Sequence, residues 1–148
     1  MKRVYPKRPF VGVGALIIHD GKILLERRGN QPGRGQWSIP GGLVELRETV
    51  EQTVIREVKE ETGLEVEKPE PVDVVDNVEL DGEDRVKYHF VIIDYLVKLK
   101  AGKLRAASDA AELQWVPFKE VGKYDLTPTF RAFFQRNRQR LEQLNSSP

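Results

Sequence analysis

Apolar and β-branched residues run from Phe10 to Ile18, stop at Asp20-Gly21, and resume from Lys22 to Leu25. Two such runs joined by Asp-Gly predict a β-hairpin with a type I′ turn, which needs positive φ at both central positions. Gly12 and Gly14 fall on one face of the first run, so a helix or a ligand can approach that face closely. From Thr49 the period changes. Val50, Val54 and Val58 recur every four residues as the buried stripe of a helix. Thr49 and Gln52 have the spacing of a capping box and Gly63 that of a C-cap, which predicts a helix from about Thr49 to Glu61.

Further on, Val72 to Val78 and Val86 to Leu99 predict strands joined by a turn at Asp81-Gly82-Glu83-Asp84. The second is almost uninterrupted in its apolar character, as expected of a central strand buried on both faces. Leu113 to Phe118 predicts a short last strand. Thr127-Pro128 supplies an N-cap and a first-turn proline for a terminal helix that turns Phe130, Phe133, Phe134 and Leu141 inward. Between Gly29 and Gly42 the chain is rich in Gly, Pro, Asn, Gln and Ser around Trp37, the composition of a long loop, and long ordered loops tend to be functional. Asn145 to Pro148 reads as a frayed tail. Strands, helix, strands, helix is the order of an α/β fold with a mixed sheet covered on both sides.

Composition narrows the function classes. A chain of 148 residues makes one domain, 1–148, with room for a full core. Its 24 basic and 23 acidic residues leave a net charge of +1, so no overall field favours nucleic acid or a membrane surface. The absence of cysteine excludes disulfides, thiol catalysis and Cys-ligated metals. No apolar stretch approaches the roughly 18 residues of a membrane span, and the expected location is cytoplasmic. Gly12-Val13-Gly14 lacks the third glycine and the helix of a dinucleotide fingerprint.

The chemistry concentrates between Gly42 and Leu64: Gly42, five residues, Glu48, seven residues, then Arg56-Glu57-Val58-Lys59-Glu60-Glu61-Thr62-Gly63-Leu64. On a helix Glu57, Glu60 and Glu61 stand at i, i+3 and i+4 and project from one side, where three like charges repel. A hard divalent cation offsets that repulsion directly. A solvated helix face is the ordinary reading of such a charge run, but Glu61 falls angularly between Val50 and Val54, inside the apolar sector. Arg56 lies four residues before Glu60, within reach of its carboxylate.

This stretch resembles the Nudix box, the signature of hydrolases that cleave nucleoside diphosphates linked to another moiety, and it fills every specified position. Leu46 and Arg47 depart from the Pro and Gly often found in that turn. The resemblance implies an α/β/α sandwich around a central mixed β-sheet and a Mg²⁺ (or Mn²⁺) site. It further implies that Glu57, Glu60 and Glu61 bind metal, with the Gly41 carbonyl completing the set and Glu48 acting through water, and that Arg56 holds a glutamate in place. A homodimer is common among such proteins, and the oligomeric state stays open here.

Other candidates are less constrained. Arg28 and Arg27 end the second predicted strand, where the family often has a phosphate-contacting arginine; a surface pair at a strand end is the alternative. Trp37 either stacks on a base or anchors its loop. Asp109 and Glu112 lie before the last strand, where many Nudix enzymes carry a general base, and Glu57 and Glu60 are further candidates. His19 and His89 are isolated and read as structural. The expected activity is hydrolysis of an ADP-ribose-like nucleotide to two monophosphates. A nucleoside triphosphate house-cleaning pyrophosphatase and a non-catalytic nucleotide sensor are the alternatives.

Overall fold

The computed structural model describes residues 3–105 and 110–145. In chain order its elements are β1 (Phe10–His19), β2 (Lys22–Arg28), β3 (Trp37–Ser38), β4 (Gly41–Leu43), α1 (Val50–Thr62), β5 (Leu64–Leu80), β6 (Val86–Gly102), β7 (Ala110–Pro117), α2 (Phe118–Val121) and α3 (Pro128–Asn145). Asp20 (φ 55°) and Gly21 (φ 76°) both take the left-handed conformation that the β1–β2 turn demands. Among the described residues the strands form one mixed sheet in the order β3-β2-β1-β6-β5, with β4 paired to β1 and β7 to β2. β1 and β6 run parallel, and the other pairings are antiparallel.

Alternation along β1 sends its side chains to two cores. Val13, Ala15 and Ile17 pack with Val54 and Val58 of α1 on one face. Leu16 packs with Phe130, Phe133, Phe134 and Leu141 of α3 on the other. This is the α/β sandwich expected from the sequence. α1 has both halves of its capping box and ends at Gly63, whose φ is 78°. The Thr127 hydroxyl accepts the Phe130 N–H at 3.2 Å and so caps α3.

Three local expectations change. The stretch 29–42 is not all loop, because β3 pairs with β2 and β4 begins at Gly41. β5 starts directly after α1, well before Val72. Pro69 and Pro71, which cannot donate to a ladder, are tolerated because β5 is an edge strand and shifts register around them. β6 is central, but only its middle is deeply buried, since β1 covers it from Phe90 to Val97 alone and both ends extend into solvent. Among the described residues, no helix is long and apolar enough to cross a membrane.

Candidate functional site

Arg56 organises the acidic end of α1. Its Nε and Nη2 donate to the two oxygens of Glu48 at 2.6 and 2.9 Å, a bidentate pair. Its Nη1 donates to Glu57 at 2.8 Å and to Glu60 at 3.1 Å, and Nη2 also reaches the Leu43 carbonyl at 3.2 Å. One guanidinium thus ties three carboxylates to the strand that enters the helix. Glu48 takes further bonds from the Thr53 hydroxyl and the Glu45 N–H. Hydrogen bonding to Arg56 is the largest cause holding the Glu48 carboxyl down at about 2. Glu48 and Glu57 in turn hold Arg56 firmly in its charged form.

The three helix glutamates diverge more than their spacing suggests. At about 100° per residue, Glu60 and Glu61 lie on opposite sides of Glu57 and some 100° from each other. Glu61 turns toward the core, is 5% exposed, and accepts the Gly41 N–H at 3.2 Å. The Glu57 side chain, 13% exposed, lies against Gly42, where a Cβ would overlap its carboxylate. The Glu60 side chain is 60% exposed and reaches the site only through Arg56. Among the described residues no three acidic or histidine side chains converge as a ready ion cage.

Glu57 and Glu61 line a cleft whose floor is the glycine face of β1. Gly12 and Gly14 lie there, flanked by Ile92 and Asp94 of β6 and by Leu43 and Gly41 of β4. Arg28 also lines the cleft, its Nε anchored to the Pro32 carbonyl at 2.7 Å. Two buried acids not foreseen from sequence complete the lining: Glu26, 3% exposed, and Asp94, 4% exposed. The signal for them was an acid inside an apolar strand, at Leu24-Leu25-Glu26 and Ile92-Ile93-Asp94. An all-oxygen carboxylate set beside a glycine backbone suits Mg²⁺ or Mn²⁺, with their preference for oxygen ligands.

Other candidates lie elsewhere. Arg27 points away from the cleft, as alternation with Arg28 requires, and faces Glu112 across β2 and β7 at 3.5 Å. Both are substantially exposed, so their placement is that of a cross-strand pair. Trp37 meets Tyr124 edge-on at 5.1 Å and packs against the α3 core, which fixes its loop from beneath. Asp109 lies outside the described residues. His19 sits beside the Trp115 ring on the far end of β1.

Comparison with known proteins places this geometry. A family model described as NUDIX domain matches residues 8–136. An ADP-ribose pyrophosphatase of Methanocaldococcus jannaschii is 36% identical over 115 residues, 78% of this chain and 66% of that protein. A Mycobacterium tuberculosis protein provisionally named 8-oxo-dGTP diphosphatase 3 is 37% identical over 120 residues, 78% of this chain and 54% of that protein. The matches therefore span about two thirds and about half of those relatives. Among solved structures, a MutT NUDIX hydrolase from Burkholderia pseudomallei superposes with a TM-score of 0.77 at 33% identity, covering 87% of this chain and 98% of that one. The NUDIX domain of Shewanella oneidensis NrtR complexed with ADP ribose gives 0.74 at 26% identity, covering 92% and 90%. With its family model spanning most of the chain and Glu48, Glu57 and Glu60 of its box gathered around Arg56, the chain belongs to the Nudix hydrolase family.

Proposed function

We propose that this chain hydrolyses the P–O–P bridge of a nucleoside diphosphate derivative resembling ADP-ribose, giving two monophosphates. The placement of Glu57 and Glu61 beside Gly41–Gly42 at the cleft, with Glu57 held by Arg56, is the observation that carries this reading. Glu57, Glu61 and Glu60, with the Gly41 carbonyl and with Glu48 through water, would hold Mg²⁺ or Mn²⁺. Bound there, the metal would neutralise phosphate oxygens and lower the pKa of a water. Arg28 meets substrate phosphate from the other wall as a fixed cation. Glu57, which Arg56 holds by a hydrogen bond, would accept a proton from the attacking water.

The likeness to the Methanocaldococcus jannaschii ADP-ribose pyrophosphatase and to the NrtR domain complexed with ADP ribose supports an ADP-ribose-like substrate. The Mycobacterium tuberculosis relative favours the second reading, a nucleoside triphosphate pyrophosphatase. A Mg²⁺-supplemented panel of ADP-ribose, NADH, diadenosine polyphosphates, nucleotide sugars and nucleoside triphosphates, with products separated by chromatography, distinguishes them. AMP with ribose 5-phosphate from ADP-ribose is the expected result. Pyrophosphate from a triphosphate alone would move the assignment to the second reading, and saturable binding without turnover would make the chain a sensor.

A further inference from the structure

Asp94 is a deeply buried carboxyl group at the wall of the cleft, 4% exposed. A carboxyl group so deeply buried is costly to keep, and one that lines a cleft is a candidate ligand contact. The backbone makes room for this one. Asp94 stands beside Gly14 in the parallel β6–β1 ladder, and any Cβ on Gly14 would overlap Asp94 Oδ1. The carboxyl group therefore leans across the bare strand, toward Ile39 and into the cleft.

The same row of the sheet continues to Gly41, which pairs with Gly14 from the opposite edge of β1. Two strand spacings separate Asp94 from Gly41, about 10 Å between backbones. A diphosphate held beside Gly41, Glu57 and Glu61 thus places the first ring attached to it over Gly12 and Gly14, with Asp94 at its edge. Phe90, Ile92 and Val75 line the cleft on the same side and offer that ring an apolar bed. A phosphate is a poor occupant so close to a carboxyl group, whereas a neutral donor satisfies it.

We propose that Asp94, seated over Gly14, is a specificity-determining residue that accepts a hydrogen bond from a hydroxyl or amino group on the non-phosphate half of the substrate. The inference rests on the nucleotide hydrolase reading above. Burial, reinforced by the charge of Asp73, pushes the Asp94 carboxyl up to about 7, so near neutrality it is also able to donate.

The test compares Asp94→Ala and Asp94→Asn with the wild type in ADP-ribose turnover, and measures competitive inhibition by AMP and by ribose 5-phosphate. Asp94→Ala is expected to raise KM about tenfold or more with a much smaller fall in kcat, and Asn, which keeps an acceptor oxygen, to restore part of the loss. The product whose inhibition weakens in Asp94→Ala carries the donor group. Wild-type KM and inhibition constants in a folded Asp94→Ala protein would overturn this inference alone. A raised Mg²⁺ requirement with unchanged KM would make Asp94 a cation ligand and overturn it too. A wild-type protein that neither binds nor hydrolyses any nucleotide would overturn the parent reading and this one together.

Discussion

Arg56 grips Glu48 through two nearly parallel hydrogen bonds across the turn that leads into α1, while its remaining nitrogen reaches Glu57 one residue along the same helix. The arginine is thus a brace between loop and helix and not only a neutralising charge. Arg56→Lys cannot reproduce the fork. It should cost about 2 kcal/mol, a fall of about 4–8 °C in the thermal midpoint, and most of the turnover. A midpoint and kcat matching the wild type would show that a point charge suffices.

The same pair sets an acid limit. The folded-state pKa of Glu48, about 2, lies below its ordinary value of 4.5, so its stabilising effect is complete above about pH 4.5 and is lost as the pH falls toward 2. Urea unfolding from pH 6 to pH 2 should show Glu48→Gln less stable than the wild type at pH 6, with the gap closing through this window. Parallel curves would contradict it.

Asp94 has the opposite sign. Its raised pKa means that the folded state prefers the proton, so ionisation destabilises the fold as pH rises from about 4 to about 7. Asp73 adds to this effect and Arg136 opposes it. Asp94→Asn should therefore gain stability relative to the wild type between pH 4 and pH 8, by no more than about 4 kcal/mol. A pH-independent difference would exclude a raised pKa.

Gly42→Ala separates the site from the fold. Its Cβ displaces only the flexible end of Glu57, so the thermal midpoint should shift by no more than a few degrees while kcat drops at least about tenfold. Full activity would mean that Glu57 need not lie against this backbone.

The two arginines at the end of β2 should behave differently. Arg28 lines the cleft and Arg27 pairs with Glu112 outside it. Arg28→Ala should raise KM several-fold with little change in kcat, and Arg27→Ala should alter neither. Steady-state kinetics of both variants would reveal a reversed pattern if the strand faced the other way.

Local signals in this chain were legible and long-range ones were not. Asp20-Gly21, the Thr49–Gln52 box, Gly63 and the Thr127 cap are decided by neighbouring residues, and each was readable before any tertiary contact was known. The inward turn of Glu61 was readable from helical angle, since it falls between Val50 and Val54, and its burial agrees; the exposure of Glu60 follows from the same angle. An acid inside an apolar strand marked Asp94 as unusual, but its place in the site comes from register. Gly14 and Asp94 are far apart in sequence and meet only when β1 and β6 align in parallel. The early start of β5 was hidden by Pro69 and Pro71, which argue against a strand unless its edge position is known.

Whether these glutamates carry a metal-dependent hydrolysis is tested most directly by measuring ADP-ribose turnover against Mg²⁺ concentration for the wild type and Glu61→Gln side by side. Gln keeps an acceptor for the Gly41 N–H, so the fold should survive. The wild type should release AMP and ribose 5-phosphate only with the cation present, and the variant should lose turnover by at least about a hundredfold. Undiminished hydrolysis by Glu61→Gln, or by the wild type after chelation, would contradict the assignment.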